Sequence, residues 1–144
     1  MEKLPEFAAN HLFLVSLFFG ILILLAWNLF SSALTGVGEV SPQEATRLIN
    51  REQGVVLDVR TAGEYAEGHI IGALNIPAAE LDARRKELEK FRERPVITSC
   101  QTGTVGARVA RSLKMTGFAQ ACTLKGGIGA WRGANLPLTR KGGT

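Results

Sequence analysis

One cysteine stands where a predicted strand gives way to a predicted helix, and its surroundings suit a reactive thiol. Cys100 follows an apolar stretch that ends at Ser99, and the small and polar residues Gln101 to Thr104 separate it from the next helical pattern. Backbone N–H groups in such a loop can converge on an anion, and the helix N-terminus adds positive partial charge. Both effects favour the thiolate, the reactive form of cysteine. The spacing therefore predicts a nucleophile at Cys100, with a buried packing cysteine as the alternative.

The other cysteine has a different setting. Cys122 lies between Ala121 and Thr123 inside a predicted strand, without a loop or helix start beside it, and we interpret it as a packing residue. Two cysteines so far apart do not indicate a disulfide framework. No Cys/His cluster has metal-ligand spacing, so neither a metal nor another cofactor is predicted. Sparse cysteine usage fits a reducing compartment.

The N-terminal part of the chain differs in composition from the rest. From Phe7 to Gly38 there is no Asp, Glu, Lys or Arg, and Leu12 to Phe30 is almost entirely apolar. This run approaches the roughly 20 residues with which a helix crosses the hydrocarbon core of a bilayer. The pattern predicts a transmembrane helix over residues 11–32 that contacts membrane lipid.

A cleaved signal peptide is the alternative for this segment, because Ser31-Ser32-Ala33 offers small residues at a plausible cleavage site. The run is longer than a usual signal core and the residues before it are not clearly basic, which favours a retained anchor. Lys3 alone precedes the span, whereas Arg47 and Arg51 follow it. The positive-inside tendency then predicts a single-pass inner-membrane protein with its C-terminal domain in the cytoplasm.

The formal net charge is +4, but the basic residues form no block. Between Glu80 and Arg94 they alternate with acids, as on the solvated face of a helix, and nucleic acid is not predicted as a partner.

Beyond the apolar segment, strand-like and helix-like patterns alternate. Val55 to Val59 is a nearly continuous apolar run typical of a buried parallel strand, and Ala79 to Arg94 and Val105 to Thr116 have helical periodicity. Such alternation predicts an α/β fold with a parallel sheet, with Cys100 at the carboxyl edge where ligands bind. The predicted organisation is a tail (1–10), a transmembrane helix (11–32), a linker (33–39), one domain (40–138) and a C-terminal tail (139–144).

Two motifs flank Cys100 and resemble those of the rhodanese-type sulfurtransferases. Asp58 to Pro77 reads DVRTAGEYAEGHIIGALNIP, close to the family signature D-V-R-x-x-x-E-Y-x-x-G-H-I-x-G-A-x-N-I-P. Leu124 to Trp131 reads LKGGIGAW and is similar to the family's C-terminal motif. With its N-terminal anchor, the chain resembles the bacterial membrane-anchored single-domain rhodaneses.

The resemblance implies a rhodanese-like fold with a central five-stranded parallel sheet flanked by helices. It implies that Cys100 takes a sulfur atom from thiosulfate or a persulfide donor and passes it to a thiol acceptor, or to cyanide in vitro. Asp58 and Arg60 would pair with each other or brace the loop. No metal or organic cofactor is implied, and membrane proteins are further candidate partners. The implied active loop consists of Gln101, Thr102, Gly103, Thr104 and Val105.

The chain departs from the family pattern at Val105, where many active rhodaneses carry arginine. A missing guanidinium removes a strong partner for an anionic donor, so weak activity on thiosulfate is expected. An interaction module tethered at the membrane is the alternative function. A phosphatase of the related fold is a remote one, because that chemistry needs arginine six residues beyond the cysteine and Gly106 stands there.

Overall fold

The structure is a computed structural model that describes residues 3, 7, 10–34 and 36–141, without side chains for residues 31–34. Most of the predicted N-terminal tail and the last three residues of the predicted C-terminal tail lie outside this part. The chain divides into two compact units, Met1–Gly36 and Val37–Thr144.

The first unit contains one long helix, α1 (Leu12–Leu34). Its segment Leu12–Phe30 has a mean hydropathy of 2.5 and none of it is buried within the protein. At 1.5 Å per residue, the 23 residues of α1 rise about 34 Å, which is long enough to cross a hydrocarbon core of about 30 Å. The helix is compatible with membrane anchoring, and a signal sequence near an N-terminus can reach the same length and hydropathy.

The second unit is built on a five-stranded sheet in which all neighbouring strands are parallel. Its strand order is β1-β6-β5-β2-β4, and β3 and β7 form a separate antiparallel ribbon. The predicted α/β fold with a central five-stranded parallel sheet is confirmed. The strands are β1 (Gly38–Val40), β2 (Val55–Asp58), β3 (His69–Ile70), β4 (Leu74–Asn75), β5 (Val96–Ser99), β6 (Ala121–Leu124) and β7 (Leu138–Thr139).

Two helices of this unit, those that follow Ser41 and Thr61, begin at capping residues that the sequence shows. Ser41 and Thr61 each accept a hydrogen bond from the backbone N–H three residues later, and Glu44 and Glu64 each accept one in return. Those bonds satisfy amides that a helix start leaves free. The helices are α2 (Pro42–Arg51), α3 (Ala62–Glu67), α4 (Leu81–Arg84), α5 (Thr104–Met115) and α6 (Gly127–Gly133).

The prediction of a single α-helix from Ala79 to Arg94 is wrong. Only the four residues of α4 are α-helical there, between 3₁₀ segments at Ala78–Glu80 and Arg85–Phe91. The charged side chains pair at i,i+3 spacing, as in Arg84–Glu87 and Arg92–Glu89, and side chains three apart are eclipsed in a 3₁₀ helix. The apolar side chains of Leu81 and Leu88 are still buried in the core, so the segment keeps its amphipathic packing although it is not one regular α-helix.

The sequence did not predict two short pairings. β1 begins in the predicted linker, ends at the first residue of the predicted domain and pairs with β6, with Gly38 opposite Cys122. β7 pairs with β3, with Thr139 opposite His69. Strands of two or three residues have no periodicity of their own, and their partners are distant in sequence.

The sheet separates two hydrophobic clusters. One contains Cys100, Val59 and Val109, and the other contains Cys122, Ile97 and Trp131. Because side chains alternate across a strand, the two cysteines belong to opposite sides of the same sheet.

Candidate active site

Cys100 follows β5 at the carboxyl edge of the sheet, and its side chain is 4% exposed. Its Sγ accepts hydrogen bonds from the backbone N–H groups of Gly103 at 2.9 Å and of Gly106 at 3.2 Å. The loop therefore contains the converging amide groups that the sequence analysis predicted. Two amide dipoles aimed at one sulfur stabilise negative charge on it in a site with little access to water.

The turn of the loop depends on Gly103, which caps the N-terminus of α5 with a φ of +103°. Residues that carry a side chain rarely adopt this backbone conformation. A Cβ at Gly103 would also lie 3.3 Å from the backbone nitrogen of Gly126. Of the other predicted loop residues, Gln101, Thr102 and Thr104 are exposed and Val105 is half-buried.

The start of α6 holds the loop from the side. The backbone N–H of Ile128 donates to the carbonyl of Cys100 at 2.8 Å, and that of Gly129 donates to the carbonyl of Gln101 at 3.3 Å. Gly127 has a φ of +61°, and a Cβ there would collide with the carbonyl oxygen of Cys100. The sequence analysis quoted this glycine-rich motif but assigned no role to it, whereas the structure shows that it fixes the loop backbone.

Gly106 also belongs to the site, although the sequence analysis used it only to exclude a phosphatase. A Cβ at Gly106 would lie 2.8 Å from Thr123 Oγ1, 3.2 Å from Thr98 Oγ1 and 3.5 Å from Cys100 Sγ. The absence of a side chain allows the first turn of α5 to approach the sheet closely enough for its amide to reach the sulfur. A glycine just inside a helical pattern was the available signal.

Asp58 and Arg60 pair with each other rather than with the cysteine. Arg60 Nη2 lies 2.7 Å from Asp58 Oδ2 and donates to the carbonyl of Gly68 at 2.7 Å, and both side chains are buried. Within residues 36–141, neither side chain has a hydrogen bond to the loop 100–105. The connection runs through the backbone, where Val59 N–H donates to the carbonyl of Ser99 at 2.9 Å.

Other residues of the first motif have local partners. His69 is fully buried, stacks on Tyr65 with ring centroids 3.6 Å apart, and its Nδ1 lies 2.8 Å from the Tyr65 carbonyl oxygen. Glu64 caps α3, and hydrogen bonds from Thr61 lower the pKa of this exposed carboxyl group. These contacts organise the chain between β2 and β4 and do not reach the sulfur.

The environment of Cys122 is different in kind. Its side chain is buried in β6, and burial raises the pKa of the thiol to about 11. Within residues 37–141, no backbone amide donates to its sulfur. The thiol therefore remains protonated at neutral pH, as expected of a packing residue.

Comparison with known proteins identifies the family to which this chain belongs. Residues 41–134 match the rhodanese-like domain. The YibN protein of Escherichia coli (strain K12) is 36% identical over 141 residues, which cover 97% of this chain and 99% of YibN. The thiosulfate sulfurtransferase GlpE of Coxiella burnetii (strain RSA 331 / Henzerling II) is 33% identical over 94 residues, covering 65% of this chain and 86% of GlpE.

A solved structure agrees with the sequence matches. The rhodanese-related protein of Thermoplasma volcanium superposes with a TM-score of 0.65 at 27% identity, covering 72% of this chain and 98% of that one. The family match over residues 41–134 contains the cysteine loop and both flanking motifs. The chain is a member of the rhodanese-like domain family, which includes sulfurtransferases, and it resembles YibN along nearly its whole length.

Proposed function

We propose that this protein is a membrane-anchored sulfurtransferase that carries sulfur as a persulfide on Cys100. The observation that supports this most directly is the pair of backbone amides that donate to Sγ at 2.9 and 3.2 Å. A packing cysteine needs no such donors, as Cys122 shows. The GlpE relative is named for thiosulfate sulfurtransfer, which supports the same chemistry.

In the proposed first step, the Cys100 thiolate attacks the outer sulfur of thiosulfate or of a persulfide. The donor's S–S bond breaks, and sulfite or the donor thiolate leaves with the electron pair of that bond. A new S–S bond then joins Cys100 to the transferred sulfur, and no external oxidant or reductant is consumed. A thiol acceptor, or cyanide in vitro, attacks the terminal sulfur and releases the Cys100 thiolate.

The terminal sulfur of a persulfide needs donors of its own. The N–H groups of Thr104 and Val105 begin α5 and, within the described residues, donate to no protein acceptor. First-turn amides carry the positive partial charge of a helix N-terminus. They are the available groups for stabilising an anionic sulfur bound to Cys100.

We infer from α1 that the domain is held at the bacterial inner membrane, with the catalytic unit in the cytoplasm. The apolar Leu12–Phe30 segment and the similarity to YibN over 97% of the chain support the anchor. The reducing cytoplasm would preserve the free thiol of Cys100. Membrane lipid around residues 11–32, and membrane proteins nearby, are the proposed partners.

A second candidate function rests on Val105. Because a valine cannot pair with an anionic donor as arginine does, a tethered interaction module with little catalysis is the competing proposal.

Intact-mass measurement separates these two proposals. The full chain, purified in detergent, is incubated with thiosulfate or with a low-molecular-weight persulfide. We expect a gain of one sulfur atom that is lost on adding cyanide, is absent in Cys100→Ser and persists in Cys122→Ala. If no donor adds sulfur to the wild-type chain, the interaction module is the better account.

A further inference from the structure

A small trough lies beside the cysteine loop, on the same side of the sheet as the Cys100 side chain. Its volume is about 180 Å³, and α5 contributes Val105, Arg108 and Val109 to its wall. Ala78, Leu81 and Asp82 form the facing wall. Because Val105 belongs to the loop and packs on the cluster that contains Cys100, the trough begins next to the proposed reaction site.

The charges of the trough leave one cation without a partner. Asp82 is paired with Arg85 at 2.8 Å, and Arg85 also donates to Ser112 Oγ at 3.2 Å. Arg108 is exposed and, within the described residues, has neither an ion pair nor a hydrogen bond. Its guanidinium is therefore available to an anionic group in the trough.

Helix geometry places this cation close to the loop. Arg108 follows Val105 by three residues, so the two lie on one face of α5 about 4.5 Å apart along the helix axis. An arginine at Val105 would serve a donor whose negative charge is at the sulfur itself. A cation at Arg108 instead suits a donor whose negative charge lies away from the reacting sulfur.

The shape and lining of the trough restrict the ligand further. The volume is below the roughly 300 Å³ typical of sites for drug-sized ligands, so it suits a molecule about the size of an amino acid. The side chains of Leu81 and Val109 suit a carbon skeleton, which thiosulfate lacks. A guanidinium pairs with a carboxylate through two parallel hydrogen bonds.

We propose that the trough binds a small organic persulfide that carries a carboxylate, and that Arg108 is the specificity-determining residue that pairs with this carboxylate. This inference rests on the proposed sulfurtransfer at Cys100 and names the donor for it. Attack by the Cys100 thiolate on the outer sulfur of such a donor releases the donor thiol as its thiolate, with its carboxylate unchanged.

Two persulfides that differ only in charge provide the test. The full chain in detergent is assayed with the persulfide of N-acetylcysteine and with that of N-acetylcysteinamide, and thiocyanate formed from cyanide is measured. The variants are Arg108→Ala, Arg108→Glu and Arg108→Lys. Arg111→Ala is the matched control, because Arg111 is exposed on the same helix but does not line the trough.

We expect the wild type to prefer the carboxylate donor through its KM. Arg108→Ala should raise that KM about fivefold, the upper range for an exposed charge pair, with kcat and the amide donor unaffected. Arg108→Glu should reverse the preference, whereas Arg108→Lys and Arg111→Ala should keep it.

An unchanged preference in Arg108→Ala and Arg108→Glu, or an equal effect of Arg111→Ala, would overturn the assignment while leaving sulfurtransfer intact. Failure of the proposed function itself has a different signature: the wild-type chain would then show no Cys100-dependent mass gain with either persulfide, and both proposals would be rejected.

Discussion

Cys122 lies on β6 and Cys100 directly follows the neighbouring strand β5, yet the groups around their sulfur atoms differ. Cys100 follows the end of β5 and begins a loop. Two backbone amides from this loop and the following helix donate to its sulfur. Cys122 lies inside β6, where burial raises the pKa of its thiol to about 11. Both side chains are more than nine-tenths buried, so burial alone does not distinguish them. The direction of nearby backbone dipoles does.

The largest expected effect is on sulfur transfer. Cys100→Ser should lower thiocyanate formation from a persulfide donor by about a thousandfold or more, because the hydroxyl of serine is a far weaker nucleophile at neutral pH. Cys122→Ala should stay within about twofold of wild type, since no proposed step involves that thiol. Comparable losses in both variants, in steady-state assays of folded protein, would contradict the contrast between the two sites.

The next effect concerns the contact that holds the loop. Gly127→Ala places a Cβ against the carbonyl oxygen of Cys100 at a φ of +61°, and we expect it to destabilise the domain by about 3 kcal/mol. Gly133→Ala is the matched control on α6, because nothing lies within 4 Å of a Cβ there. Thermal unfolding followed by tryptophan fluorescence measures both variants. Equal melting temperatures for the two would show that this close approach is not required.

A smaller effect tests the packing beneath the sulfur. Gly106→Ala brings a Cβ to 2.8 Å from Thr123 Oγ1, and we expect a cost of about 2 kcal/mol, the ordinary range for overpacking, with slower sulfur transfer. Thr123 Oγ1 is buried and has no hydrogen-bond partner, so Thr123→Ala should be mild and should relieve part of that cost. A double-mutant cycle measures the coupling. Strict additivity would mean that the two groups do not clash.

The smallest effect under ordinary conditions, because it is absent at neutral pH, is a pH dependence from Cys122. Its pKa in the folded protein is about 11 against an ordinary value of 9.0, so the folded state keeps a proton that the unfolded chain releases. Stability should therefore fall as pH rises from 9 to 11, by at most about 3 kcal/mol, with no contribution below that window. Cys122→Ala should flatten this part of the stability curve, and superimposable curves for the two proteins would refute the assignment.

Much of this organisation could be predicted from the sequence because its signals are local. The apolar run Leu12–Phe30, the capping boxes at Ser41 and Thr61, and the buried run at Val55 each depend on residues that are neighbours in the chain. Their alternation was enough to predict a parallel sheet with Cys100 at its carboxyl edge. The prediction failed between Ala79 and Arg94, where 3₁₀ segments flank four α-helical residues in place of one regular helix.

Only the tertiary structure decided the contacts between residues that are distant in sequence. The sequence contains Gly106, Gly127 and Ile128, but it does not reveal that Gly106 makes room beside the sulfur, that Gly127 makes room for the Cys100 carbonyl, or that Ile128 donates to that carbonyl. Nor does it show that Arg108 shares a trough with Leu81. The physical reason is that hydrogen-bond direction and steric fit act over a few ångströms in space, and only the folded backbone determines which distant residues come that close.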